Sequence, residues 1–290
     1  DAERLFDQNE LEQARGIAER VLQEDSMNAR ALQVLGIVES RRDRPNEAIP
    51  ILERALAIQP DLAAAHCDLG VSYEQIGNTS LALEHFERAL ILQPDHALAH
   101  FNRAVANLKF GRFREGWLEY EWRFRAGLVS CPSIPTPRWD GSSIKGKSLL
   151  VHTEQGMGDV LQFVRFIPLL KSQGARVVLA CPQSLRPLLR SLPGVDQWVP
   201  IDTETEITFE YHTPLMSLGA LLCIRREADI PNKVPYVHVD SARCERWRAA
   251  GDRSDSFRIG SCWQGSPRDR GGALRSVPVG EFVASAQVAG

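Results

Sequence analysis

Small and large apolar positions recur every 34 residues along the first third of the chain, and this pattern predicts paired helices in tandem. Gly36 and Gly70 share one position of the period, where small residues let two helices approach closely. Pro60 and Pro94 share another, where proline cannot continue a helix. One helix–turn–helix unit cannot bury its apolar face alone, so units stack into a solenoid with a concave surface. We therefore expect an α-helical solenoid over residues 1–127.

The concave face of such a solenoid, formed by the first helix of each unit, is the expected binding surface for a protein or peptide partner. Tyr73, Asn102 and Asn107 fall on those helices. Asn side chains can bind a peptide backbone through hydrogen bonds. The alternative is that these residues are merely solvated, because polar residues on exposed helix faces are the default.

A segment rich in proline and glycine follows the repeats. Residues 128–147 break both helix and strand periods, which predicts a linker or a long packed loop. Trp117, Trp122 and Trp139 lie at its borders. We expect these rings to pack the solenoid against the next domain, because large aromatic side chains favour burial.

Residues 148–250 predict an α/β domain with a parallel, doubly wound sheet. Short apolar runs at 148–153, 175–181, 196–201 and 207–211 predict four strands, and the first has the continuous apolar character of a buried parallel strand. Amphipathic or helical segments between the first three runs predict strand–helix–strand units.

The loop after the first predicted strand carries most of the candidate chemistry. Gly156 and Gly158 let the backbone approach a ligand, with Gln155 beside them, and the next helix begins with free N–H groups that suit an anionic or polar group. Asp159 is either a general base or a cap of that helix, and both interpretations stay open. Glu154 is the alternative base, since partial burial would raise its pKa.

Two histidines lie in or beside the predicted strands. His152 alternates with apolar neighbours and is expected in the core. His212 is predicted to lie where a strand meets a loop, so a catalytic role and a structural role both stay open.

Residues 257–290 predict the start of a second α/β domain, with a strand, a loop and a helix. The loop contains Arg268, Arg270 and Arg275, whose guanidinium groups suit a diphosphate, although a solvated basic loop is the alternative. One strand and one helix cannot bury a core of their own. The chain also opens inside a helical pattern without a starting Met, so we expect further residues at both ends.

The composition is that of an ordinary globular protein. A formal net charge of −3 and 43% hydrophobic residues favour neither a nucleic acid nor a membrane surface as the general partner. No apolar run reaches the roughly 18 residues of a membrane span, and no secretory signal pattern is present. The six cysteines are scattered without metal-ligand spacing, which predicts a cytoplasmic location and no metal site.

The order of these motifs resembles the tetratricopeptide-repeat proteins that carry a C-terminal glycosyltransferase-like region. It is similar to the heptosyltransferases and the protein O-linked N-acetylglucosamine transferases. The resemblance rests on the repeats and on the segments SLLVHTEQGMGD, EYHTPLMSL and IGSCWQGSPRDRGGALRS. It implies a GT-B fold, in which residues 148–250 form the acceptor-side Rossmann-like domain and residues 257–290 begin the donor-side domain.

The same resemblance assigns roles to single residues. The family's Gly-Asp pair after the first strand, with its proposed catalytic base, matches Gly158 and Asp159. Its donor-side motifs match Trp263, Gly265, Asp269, Arg270, Arg275 and Ser276. Pro267 and Arg268 stand where relatives often carry a His, so no phosphate or acid role for a His is implied there.

The resulting hypothesis is a glycosyltransferase that moves a sugar from a nucleotide-sugar donor to a protein or glycan acceptor, with the repeats binding the acceptor or a partner. It implies no metal and no cofactor besides the donor substrate, and an inactive chain as it stands, since most of the donor-side domain is absent. The alternative is a non-catalytic interaction protein with a degenerate glycosyltransferase-like domain. A nucleotide-cofactor oxidoreductase is disfavoured because no dinucleotide fingerprint is present.

Overall fold

The computed structural model describes residues 8–130, 132–201, 207–238 and 240–250. The described residues up to 240 form one compact unit, in which helical repeats are followed by a small parallel sheet. Helix α13 (Ser241–Ala250) belongs to a second unit and is described by itself. Among the described residues, no helix combines the length and the apolar character that crossing a bilayer requires.

Antiparallel helix pairs form the repeats, as the 34-residue pattern predicts. α2 and α5 each begin after an asparagine whose side chain accepts a backbone N–H, from Ala31 at 3.0 Å for Asn28 and from Leu81 at 3.3 Å for Asn78. The helices are α1 (Gln8–Glu24), α2 (Ala29–Arg41), α3 (Pro45–Ile58), α4 (Ala63–Gln75), α5 (Thr79–Leu92), α6 (Ala97–Lys109), α7 (Phe113–Tyr120) and α8 (Trp122–Arg125).

Small residues meet large ones where the helices of a repeat cross. A Cβ on Gly36 would lie 2.5 Å from Leu52 Cγ, and a Cβ on Gly70 would lie 2.5 Å from Phe86 Cε1. Neither position has room for a methyl group, so the alternation of small and large residues in the period is confirmed as a packing requirement.

Four parallel strands form one sheet in the order β3-β2-β1-β4. The strands are β1 (Ser148–His152), β2 (Arg176–Cys181), β3 (Gln197–Pro200) and β4 (Tyr211–Pro214). The first three agree with the predicted runs. The fourth strand was predicted over residues 207–211, several residues too early. Its buried residues His212 and Thr213 are polar, so β4 does not form an apolar run in the sequence. His212 accordingly lies within the strand, in register with Leu150, and not at its end.

Short helices cover the face of the sheet that contributes Leu149, Val151, Val177 and Leu179 to the main core. The helix predicted over residues 159–173 is interrupted. Pro168 has no backbone N–H to donate to the preceding turn, so a 3₁₀ turn intervenes and a new helix begins at Ile167. These helices are α9 (Met157–Phe163), α10 (Ile167–Ser172), α11 (Arg186–Leu189) and α12 (Leu218–Leu221). Gly174, at φ +86°, ends α10 as predicted.

The proline-rich segment is a packed loop, the second of its two predicted forms. Trp139 is buried in the main core and donates its indole N–H to Ser142 O at 2.8 Å. Its backbone N–H bonds His212 O at 2.8 Å, so the loop runs beside β4. Trp117 also packs against the α/β part, as expected, whereas Trp122 stacks on His100 of the repeats with ring centroids 3.8 Å apart.

Candidate functional site

The strand order reverses between β1 and β4, and open parallel sheets bind ligands at the carboxyl ends of the strands at such a switch point. In this protein the side chain of Glu154 occupies the switch point. Its side chain is only 2% exposed and accepts backbone N–H groups from Leu215 at 3.0 Å and Met216 at 3.2 Å. The crevice between the two strand ends is therefore closed by a carboxylate of the chain itself.

Arg123, from α8 at the end of the repeats, neutralises this carboxylate. Its side chain is 0% exposed, and its Nη2 donates to Glu154 Oε1 at 3.0 Å and to Ser217 Oγ at 2.8 Å. Its Nη1 donates to Glu121 at 2.8 Å, and Arg138 donates to the same Glu121 and to Ser217. Two carboxylates and two guanidinium groups thus join the last helix of the repeats, the packed loop and the sheet edge.

Burial and pairing act in opposite directions on these carboxylates. Burial raises the pKa of Glu154, and the pairing with Arg123 opposes this without cancelling it. Burial also pushes up the pKa of Glu121, but Arg123 and Arg138 together hold that pKa below its ordinary value. Because Glu154 already accepts three hydrogen bonds, its geometry is that of a structural anchor.

The other predicted residues of this loop lie nearer the surface. Asp159 lies in the first turn of α9, whose N-cap residue is Gly156, and no side chain hydrogen-bonds the N-terminus of that helix among the described residues. The capping interpretation of Asp159 is therefore not observed. Gly158 has open space around it, and Gln155 donates its amide to the Tyr120 hydroxyl at 3.1 Å, which links the loop to the repeats.

His152 and His212 form a buried pair beneath this edge. His212 Nδ1 lies 3.4 Å from His152 Nε2, and the rings stack with centroids 5.5 Å apart. Burial, together with smaller repulsion from His212, Arg138 and Arg123, lowers the pKa of His152 to about 4. His152 is thus a neutral core histidine at neutral pH, as predicted.

We expect the buried histidine to make the fold acid-labile. The ordinary pKa of 6.5 applies in the unfolded chain and about 4 in the folded one, so the unfolded state binds more protons between these values. Stability is therefore present above pH 6.5 and is lost as pH falls through 4, by about 3 kcal/mol in total, of which about 2 kcal/mol is lost by pH 5. Urea unfolding at pH 7.5 and pH 5 measures the loss.

His152→Asn is the matched variant, because it removes the titrating group and keeps a polar partner for His212. The difference in unfolding free energy between the two pH values should shrink in this variant. An equal difference in both proteins would show that other groups carry the pH dependence.

A cavity of about 440 Å³ opens beside His152 and Thr153 at the carboxyl ends of β1, β2 and β3. Its other walls are largely apolar. They include Ile134 from the packed loop and Phe209 from the segment before β4. It is large enough for part of a small ligand, and its described lining includes Glu154 but no aspartate.

A second opening, the junction groove, lies between the last repeat and α9. It has a volume of about 450 Å³ and is mostly apolar. The indole Nε1 of Trp117 is buried there without a hydrogen-bond partner among the described residues. The groove is lined by Val105, Leu108, Lys109, Phe113, Trp117, Tyr120, Gln162, Phe163, Arg165, Phe166, Met216 and Ile230.

The first helices of successive repeats are joined by a polar ladder, which we call the inner-face ladder. Its members are 35 residues apart: Gln33 with Asp68, Ser40 with Gln75, Cys67 with Asn102, and Glu74 with Lys109. The amide of Gln33 donates to Asp68 at 2.7 Å. Burial raises the pKa of Asp68 to about 6, and the Gln33 hydrogen bond opposes the shift.

The three predicted partner-binding residues lie in different surroundings. Asn102 belongs to the ladder and is partly exposed, whereas Asn107 is only 6% exposed. The hydroxyl of Tyr73 donates to Glu53 at 2.9 Å, and its ring stacks on His85. The predicted donor-side residues, Trp263, Gly265, Arg268, Arg270, Arg275 and Ser276, lie outside the described residues.

Comparison with known proteins shows the repeats. Family models for the tetratricopeptide repeat match residues 2–63 and 63–96. Protein FlbA of Caulobacter vibrioides is 32% identical over 161 residues, which cover 54% of this chain and 24% of FlbA. The chain therefore spans about a quarter of that relative.

Two solved structures show weaker likeness. A crystal structure of MamA matches at 23% identity and a TM-score of 0.36, covering 41% of this chain and 69% of MamA. A mutant O-GlcNAc transferase of Thermobaculum terrenum matches at 22% identity and a TM-score of 0.36, covering 63% of this chain and 36% of that one. The family models thus identify tetratricopeptide repeats within residues 2–96, and a small parallel sheet follows the repeats.

Proposed function

We propose that this protein is an interaction protein that binds an extended polypeptide along its inner-face ladder and in the junction groove. The observation that carries the proposal is the junction groove, an apolar opening beside the last repeat. Lys109 belongs to both the ladder and the groove, so the two surfaces are continuous.

The groove's chemistry favours a peptide that carries an apolar side chain. Phe163 meets the Trp117 ring edge-on with centroids 5.5 Å apart, and together they offer an aromatic wall. The unpartnered indole N–H of Trp117 needs an acceptor, which a peptide carbonyl supplies. Lys109 and Arg165 lie at the same opening and favour an acidic residue next to the apolar one.

Selection from a random-peptide display library followed by fluorescence anisotropy tests the proposal. We expect selected peptides to combine apolar and acidic residues, and to bind Val105→Glu at least tenfold more weakly. Ile91→Asp is the control, because Ile91 is 69% exposed on α5 and lies outside the groove. Selected peptides that bind the wild type and a normally melting Val105→Glu equally would contradict the proposal.

Glycosyl transfer is the second candidate function, and the cavity at the carboxyl ends of β1, β2 and β3 favours it. Sheets with this strand order bind ligands at that edge, and the sequence resemblance points to the same chemistry. Glu154 lines this cavity but is held by three hydrogen bonds, and His212 is held in a buried contact. The remaining candidate base for the acceptor hydroxyl is Asp159, which lies in the first turn of α9 and not in the described lining of the cavity. The donor-side residues Trp263 to Ser276 would hold the nucleotide sugar.

Transfer from a radiolabelled nucleotide sugar by the full-length protein tests this second function. Asp159→Asn should lower the rate about 100-fold or more, as expected for loss of a general base, with an unchanged thermal melt. No transfer by the wild-type protein, or an equal transfer rate in the variant, would contradict the transferase role. Only the interaction function would then remain.

A further inference from the structure

A separate opening, the third-repeat cavity, lies beside α6 and α7. None of its described lining residues also lines the junction groove. It has a volume of about 560 Å³. It is lined by Glu87, Arg103, Asn107, Arg112, Glu115, Leu118 and Glu119, so its walls are mainly polar or charged.

The preceding repeat explains why this cavity exists. There, the phenol of Tyr73 reaches Glu53 and donates its hydroxyl at 2.9 Å. Thirty-four residues further on, the equivalent positions hold Asn107 and Glu87, and both line the cavity. Asparagine is shorter than tyrosine by the length of an aromatic ring, so the third repeat lacks the ring that links these positions in the second.

The amide of Asn107 is available to a ligand. Asn107 lines the cavity and is 6% exposed, and its side chain makes no hydrogen bond to another described residue. The amide is not among the buried polar atoms that lack a partner, so solvent reaches it. A ligand in the cavity can therefore take the place of water as its hydrogen-bond partner.

The remaining walls suit an aromatic ring. Arg103 is held in place by Glu119, to which its Nε donates at 2.8 Å, and guanidinium groups stack favourably on aromatic faces. Leu118 is 62% exposed beside it and offers an apolar contact. The carboxylate of Glu87 is able to accept a hydroxyl, as Glu53 does from Tyr73.

We infer that the third-repeat cavity binds a phenol, presented as the tyrosine side chain of a partner polypeptide. The ring takes the place that Tyr73 fills in the second repeat, and its hydroxyl donates to Glu87 and accepts from the Asn107 amide.

NMR titration of the protein with N-acetyl-tyrosinamide tests the inference, followed through the side-chain amide of Asn107. We expect saturable shifts with a dissociation constant in the millimolar range, and about tenfold weaker binding of N-acetyl-phenylalaninamide, which lacks the hydroxyl for a charged acceptor. Glu87→Gln should weaken the tyrosine compound severalfold. Glu84→Gln, on the same exposed face of α5, should leave binding unchanged.

Asn107→Tyr is the decisive variant, because it supplies the missing ring from the chain itself. We expect it to abolish binding of N-acetyl-tyrosinamide, followed in this variant through the backbone amides of α6, while the melting temperature stays equal or rises. No saturable shift in the wild type, equal binding of the phenylalanine compound, or full binding by a folded Asn107→Tyr would each overturn the inference.

Discussion

Replacing Arg123 with methionine is expected to lower the free energy of unfolding by about 3–5 kcal/mol, the usual cost of removing one partner of a buried ion pair. Methionine replaces the aliphatic part of the side chain but leaves Glu154 charged, 2% exposed and without its cation. The loss should be largest at neutral pH and smaller in acid, where protonation relieves the buried carboxylate. Urea unfolding at pH 7.5 and pH 5 measures both effects.

Two controls separate burial of a charge from loss of packing. Arg123→Met combined with Glu154→Gln should recover part of the stability, because the amide needs no counter-ion. Arg125→Met, two residues on, removes an exposed arginine that stacks on Trp122 and should cost less than about 1 kcal/mol. A loss below that value for Arg123→Met would show that Glu154 is solvated or protonated in the folded protein.

The Arg123 cluster also bears on function. It fixes the last helix of the repeats to the sheet edge, so a partner bound on the repeats would be held at a constant position relative to that edge. The same cluster closes the crevice between β1 and β4 with Glu154. A ligand at this end of the sheet is therefore expected in the cavity beside His152 and Thr153.

The repeats could be predicted from the sequence because each of their packing contacts involves a recurring position. Gly36 against Leu52 and Gly70 against Phe86 use the same two positions, one repeat apart. The buried strands β1 and β2 were likewise visible as continuous apolar runs. β4 was not, because a stretch that buries polar side chains shows no apolar run.

The anchoring role of Glu154 could not be predicted, because its partners are distant in the sequence. Arg123 lies 31 residues before it, and the N–H groups of Leu215 and Met216 lie 61 and 62 residues after it. Arg123 itself resembled a surface charge among the aromatic residues of α7 and α8. The only local signal was the Glu121 beside it, which pairs with the same guanidinium at 2.8 Å.

Gly219→Ala is expected to destabilise the protein by about 2–3 kcal/mol, because the site has no room for a methyl group. A Cβ there would lie 2.4 Å from Trp117 Cδ2. The indole cannot easily yield, since Phe163 and Tyr120 both meet it edge-on. Chemical unfolding followed by tryptophan fluorescence measures the loss.

Gly16→Ala is the matched control for a helical glycine. A Cβ on Gly16 would meet nothing within 4 Å, so alanine should raise the stability by up to about 1 kcal/mol through its better helix propensity. Adding Trp117→Phe to Gly219→Ala should recover part of the lost stability, because the smaller phenyl ring leaves room for the alanine methyl group. Equal stabilities for Gly219→Ala and the wild type would mean that the repeats and α12 can separate slightly at low cost. The junction groove beside Trp117 would then widen as easily, and its affinity for a peptide would be correspondingly low.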